Sequence, residues 1–178
     1  YKLIMEVVST KDNEEMLKDI PHREIEDMSE VYRFVLNDSD KAQSSVLVTN
    51  VMLQVYGVTP EQVRSDAIAA GPENNPYSIA SLYEVMREMM GDMFPAPAPD
   101  EPQIYVASNN SKMFGAGAIA YPGFMEEAKE VVGGSFYVLP SSIHEVLLVP
   151  DRGDHNYREL LGMVTSVNAS EVAPADKL

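Results

Sequence analysis

The chain has 178 residues, enough for one well-buried domain or two small lobes, and too few for a large multidomain enzyme. Hydrophobic residues make up 45% and charged residues 23%, which disfavours wholesale disorder and collagen-like or coiled-coil architectures. Thirteen Lys and Arg against 28 Asp and Glu leave a net charge of -15. Such a surface repels phosphate backbones and anionic lipid, so neither nucleic acid nor a membrane surface is an expected partner. The acidity lies on both sides of a Pro-rich stretch, which favours a solvated anionic surface over the sharper reading, an acidic nucleic-acid mimic. With no cysteine, disulfides, thiolate metal sites and a cysteine nucleophile are excluded. No apolar run reaches the length of a membrane span, Tyr1 to Glu6 lacks a signal-peptide layout, and a cytoplasmic protein is expected. Both ends read as cut, the piece of a larger protein.

In chain order, Leu3 to Val8 reads as a strand, followed by a short acidic helix ending near Ile20-Pro21. Val31 to Leu36 and Val46 to Thr49 are further strands, separated by the turn-rich Asn37-Asp38-Ser39-Asp40. Asn50 to Tyr56 is a short helix stopped by Gly57. Thr59, Pro60 and Gln62 form a helix start, and Ala70-Gly71-Pro72 its end. Ser81 and Glu84 make a capping box for a helix whose stripe includes Ile79, Leu82, Met86, Met89 and Met90, and Gly91 terminates it. That spacing favours core packing for the three methionines, with Met93 and Phe94 as an exposed patch.

Four prolines within 94–102 favour extended backbone and read as a connector between a lobe over 1–93 and a lobe over 103–178. Beyond it, Ile104 to Ala107 and Phe114 to Tyr121 read as strands. A helix opens at Pro122, with Phe124, Ala128, Val131 and Val132 on one face, and ends at Gly133-Gly134. Phe136 to Leu139 and Ile143 to Val149 read as antiparallel strands around a Pro140-Ser141-Ser142 turn. Asn156 caps a last helix with Tyr157, Leu160, Leu161, Val164 and Val167 as its stripe. Strand, strand, helix, strand, strand, helix implies an α+β fold, an antiparallel sheet with helices packed on it.

Tyr137 to Val146, read with Val167-Asn168 and Val172-Ala173-Pro174, resembles a bacterial family known as a domain of unknown function. Its signature is Leu139-Pro140-Ser141-Ser142-Ile143-His144-Glu145-Val146. Ile20 to Arg23, Val46 to Asn50, and Gly115 to Ala118 followed by Tyr121-Pro122-Gly123 fit the same pattern, so the resemblance spans nearly the whole chain. It implies a longer protein, extended at the N-terminus and slightly at the C-terminus, and it implies no activity. Where that family more often has Asn-x-Thr-Gln-Val, this chain has Asn168-Ala169-Ser170-Glu171-Val172, so those polar residues are not taken as a site.

Strand alternation over Ile143 to Val149 puts His144 with Val146 and Leu148, and Glu145 with Ile143, Leu147 and Val149. His144 and Glu145 are the catalytic candidates, with Ser141 or Ser142 as a nucleophile. A hydrogen-bonded structural histidine beside turn serines is favoured over that reading. Asp151, Asp154 and His155 gather where a strand gives way to a helix and are the metal candidates, with Glu145 the nearest further ligand. A turn built on Gly153 is favoured over the metal site. No cofactor is expected. Gly115-Ala116-Gly117-Ala118-Ile119-Ala120 satisfies Gly-x-Gly-x-x-Ala, but it lacks the strand-to-helix context and the following acidic residue of a dinucleotide site. Small residues that let a helix pack closely on the sheet are the favoured reading. His22 and Arg23, in an acidic stretch, read as a local ion pair. The functional expectation is a non-catalytic intracellular domain acting through a protein partner. The alternatives are a metal-assisted hydrolase using Asp151, Asp154 and His155, with Glu145 or His144 as acid or base, and the acidic mimic.

Overall fold

A computed structural model describes residues 2–39, 42–91, 103–153, 162, 172–173 and 176–178. The Pro-rich connector and the helix expected after Asn156 lie outside the described residues. The chain is α+β, with two antiparallel four-stranded sheets. The first comprises β1 (Lys2–Ser9), β2 (His22–Ile25), β3 (Met28–Ser39) and β4 (Ala42–Leu47), with the short α1 (Glu14–Leu17) between β1 and β2. The long β3 organises it. β1 pairs with β3 from Met28 to Val35, β2 from Met28 to Val31, and β4 from Arg33 to Ser39. Because β2 and β4 each overlap the register of β1, both take the opposite edge of β3, end to end.

α2 (Asn50–Tyr56) and α3 (Pro60–Asn74) follow. Both start where the caps predict: the Thr49 hydroxyl accepts from Met52 N at 3.2 Å and the Thr59 hydroxyl from Gln62 N at 3.2 Å. Gly57, at φ 67°, ends α2. α3 does not stop at Gly71-Pro72; it runs through Pro72 to Asn74. The reason is tertiary anchoring of its last turn. Asn75 N donates to Gly71 O at 2.8 Å, and the Asn74 side-chain amide donates to Leu3 O at 2.9 Å.

The second sheet has the order β5-β6-β8-β7, from β5 (Tyr77–Ser81), β6 (Tyr105–Asn109), β7 (Phe136–Ser142) and β8 (Glu145–Pro150). Ile79 therefore belongs to a strand. α4 (Leu82–Met90) begins after it with the expected capping box, in which Ser81 Oγ accepts from Glu84 N and the Glu84 carboxylate accepts from Ser81 N. α4 has no buried residue; Met89 is 77% and Met90 46% exposed, so these methionines are not core. Met93 and Phe94 lie outside the described residues. α5 (Phe124–Val132) buries Phe124 and Ala128.

Phe114 to Tyr121 is not a strand. Gly115–Ala120 forms a 3-10 helix, buried except for Ile119. It fills the space between β1 of the first sheet and β6 and β8 of the second. A Cβ on Gly117 would stand 2.3 Å from Met5 O, and one on Gly115 2.4 Å from His144 O. The small residues do permit a close approach, as the sequence suggests, but it is their own backbone that approaches the sheet.

This helix closes an open edge. Val48 N donates to Tyr32 O, so Tyr32 turns its backbone toward the β4 side, and Met5, its partner across the ladder, turns N–H and C=O away from β3. Those groups meet the Tyr121 hydroxyl, 3.5 Å from Met5 N, and Gly117. Leu3 O, of the same parity, takes the Asn74 bond. A sheet edge that would otherwise invite another chain is thereby covered. One core cluster then joins Met5, Val7 and Tyr32 of the first sheet with Ala107, Val146 and Leu148 of the second and Phe124 of α5.

Gly117→Ala should lower stability by about 1–3 kcal/mol, because the methyl meets backbone that cannot swing aside. Gly134→Ala, where nothing lies within 4 Å, should change it by less than about 0.5 kcal/mol. Urea midpoints of the two variants against the parent check both values.

Candidate functional site

The second β-hairpin decides where the catalytic candidates go. β7 continues through Pro140 with a bulge before Ser142, and Ser142 pairs with Glu145. The turn is therefore Ile143-His144, and His144 is a turn residue, not a strand residue alternating with Val146. Its Nδ1 lies 3.3 Å from Phe114 N and accepts that hydrogen bond, while Nε2 lies 3.6 Å from Asp176 Oδ2. Ser142 Oγ accepts from the backbone N of His144 at 3.1 Å, not from the ring. Ser141 and Ser142 are both buried. Glu145 is half-buried at the start of β8, with no hydrogen bond to His144 among those of the described residues.

Asp151 lies past the other end of β8, roughly 20 Å from His144 at the ordinary strand rise. Its backbone N donates to Ser135 O at 2.8 Å, and its Oδ1 accepts from Gly153 N at 2.9 Å, the turn that the sequence favours. It borders an open cleft of about 390 Å³ together with Tyr105, Ser135 and Arg152. Asp154 and His155 lie outside the described residues. Among the described residues no group of three or more His, Asp or Glu could hold a metal ion.

What the structure does bring together is two buried ionic pairs on opposite faces of the first sheet. On one face, Arg33 Nε donates to Glu6 Oε2, and the Arg33 guanidinium sits 4.5 Å from the Phe114 ring centroid. Burial raises the Glu6 carboxyl above its usual 4.5, with the Arg33 charge opposing. On the other face, fully buried Glu30 accepts from the Tyr32 hydroxyl at 2.6 Å and from Arg64 Nε at 2.7 Å. Its second oxygen has Arg23 Nη1 at 4.0 Å, so Arg23 does belong to an ion pair within the acidic stretch. Tyr32 titrates well above its ordinary value, first through burial and then through Glu30. These pairs hold β1, β3 and α3 together; none faces a cavity among those described.

The chemically distinctive surface is α2. Only Leu53 of this helix is buried, while Val51 is 66%, Val55 74% and Tyr56 69% exposed. Val51 and Val55 share a helix face. Residues 42–60 contain no Asp, Glu, Lys, Arg or His, in a chain whose net charge is -15. That charge-free run is the sequence signal for this surface, and motif searching passes over it because it contains no chemistry.

The profile of a family of unknown function, DUF5688, matches residues 1–178. The chain belongs to the DUF5688 family. The matched range of this DUF5688 chain includes the strands of both sheets. No curated protein and no solved structure matches it. No helix among the described residues is long and apolar enough to cross a membrane.

Glu6 sets a pH signature. A carboxyl whose folded value is raised contributes stability that is fully present below about 4.5 and is lost as pH rises through the raised value. The stability of the parent minus that of Glu6→Gln should therefore fall as pH rises above about 4.5, read from urea unfolding; a flat or rising difference contradicts it. Arg33→Met strands the carboxylate and should cost about 3–5 kcal/mol at pH 7.

Proposed function

We propose that this is a non-catalytic interaction domain of the bacterial cytoplasm that binds a protein partner through the exposed face of α2. The observation that carries the reading is the exposure of Val51, Val55 and Tyr56 to water on an uncharged segment. Burying apolar area against a partner gains about 25 cal/mol per Å², and tyrosine is among the residues on which binding energy concentrates. A nucleic-acid mimic would present carboxylates, and α2 has none. The hydrolase reading needs His144 or Glu145 beside Asp151, and these stand at opposite ends of β8.

The test is capture of partners from a bacterial lysate by the parent chain and by folded Val55→Lys and Met125→Lys variants, with quantitative mass spectrometry and reconstitution from purified components. A partner that binds the parent and Met125→Lys, and binds Val55→Lys at least about tenfold more weakly, supports the reading. Equal enrichment by all three goes against it. So does a metal-dependent rise in melting temperature that Asp151→Asn abolishes.

A further inference from the structure

Each sheet edge needs some device against unwanted pairing. β1 is covered by Tyr121, Gly117 and Asn74. β2 is four residues long and carries His22, Arg23 and Glu24, and β4, on the same edge, has a register break opposite Val35 to Asn37. β7 has Pro140 and a bulge. β5, the outermost strand of the second sheet, has no charged residue, no proline and an unbroken register with β6.

Its outward groups can be identified. Leu82 N donates to Ile104 O at 2.7 Å, and this sets the phase of the ladder. Ala80 and Ser78 share the parity of Leu82 and turn their backbone groups toward β6, whereas Tyr77, Ile79 and Ser81 turn theirs outward. The Glu84 carboxylate accepts Ser81 N–H at 2.9 Å. Among the described residues nothing accepts from or donates to the outward groups of Ile79 and Tyr77.

Beside this edge runs an open groove of about 540 Å³, bounded by Ile79 and Ala80 of β5 and by Glu84, Arg87 and Glu88 of α4. A strand edge flanked by a helix suits an added extended peptide, with backbone bonds giving affinity and the helix face reading side chains. The helix face offers two carboxylates against one guanidinium. Glu84 is held ionised, since hydrogen bonds from Ser81 lower its carboxyl.

We propose that the β5 edge and α4 receive an extended, Lys- or Arg-bearing peptide segment of a partner protein as a fifth strand. The occupant is basic because the groove wall and the protein as a whole are acidic. This surface is separate from α2, so either can fail while the other stands.

The test is fluorescence anisotropy of a fluorescein-labelled decapeptide of alternating lysine and valine, titrated with the full chain at physiological salt. The same peptide with every second backbone nitrogen methylated, and one with aspartate in place of lysine, serve as controls. The expected result is binding at least about tenfold tighter than either control, weakened at least about threefold by Glu88→Lys. Hydrogen exchange should show new protection of the Tyr77 and Ile79 amides. Ile79→Pro, which removes an outward N–H, should abolish that gain; since Ile79 also packs against the core, the methylated peptide decides the same question from the ligand side if this variant fails to fold. Equal affinity for the methylated peptide would mean attraction to net charge alone. That result, absence of binding, or protection confined to other segments overturns the proposal.

Discussion

The contact on which the fold turns is the approach of the Gly115–Ala120 helix to the backbone of β1. With Met5 O only 2.3 Å from where a Cβ of Gly117 would be, no side chain fits, and the distance between the two sheets is set by backbone against backbone. The same constraint reaches α3. A Cβ on Gly71 would stand 2.0 Å from the Tyr121 hydroxyl, so the tyrosine that reaches Met5 N does so only because the helix it crosses is bare there. Burial pushes that phenol up to about 12, which keeps it neutral at any physiological pH. Two glycines and one tyrosine thus bind a strand, a long helix and a short one into a single packing unit.

Cations are scarce in this chain, and several are used inside it. Arg33 neutralises Glu6 on one face of the first sheet, and Arg64 neutralises Glu30 on the other. Alternation along β3 dictates the split, since Glu30 and Tyr32 point one way and Arg33 the other. Guanidinium suits the task because it is weakly hydrated and always charged. Each pair is neutral and leaves the net charge of -15 to the rest of the chain, against which an uncharged helix face stands out.

What is legible in the sequence is what is local. Thr49, Thr59 and the Ser81–Glu84 box mark helix starts because a cap is satisfied within three residues, and Gly57 and Gly91 mark ends for a similar reason. β5 is hidden because Ile79 falls in phase with the α4 stripe, and five residues give too little alternation to contradict it. Small residues show no hydrophobic period, so the 3-10 helix reads as a strand. At Pro140 a bulge shifts the hairpin turn by two residues and moves His144 out of its strand. The joining of Glu6 to Arg33 spans 27 residues, and that of His144 to Asp176 is longer still. Such pairs are written in topology, where periodicity has nothing to say.

The cover of β1 also has a history during synthesis. Met5 and the tyrosine that takes its N–H are 116 residues apart, so the ribosome delivers the strand long before its cover. At ordinary elongation rates that interval is roughly 6–23 s, whereas a hairpin forms in about 1–10 μs. β1, β2, β3 and β4 thus have time to pair while one edge of their sheet still faces the cell's contents. For that interval the nascent chain is a template for strand addition, and the segment that ends its exposure is the run of glycine and alanine between the sheets.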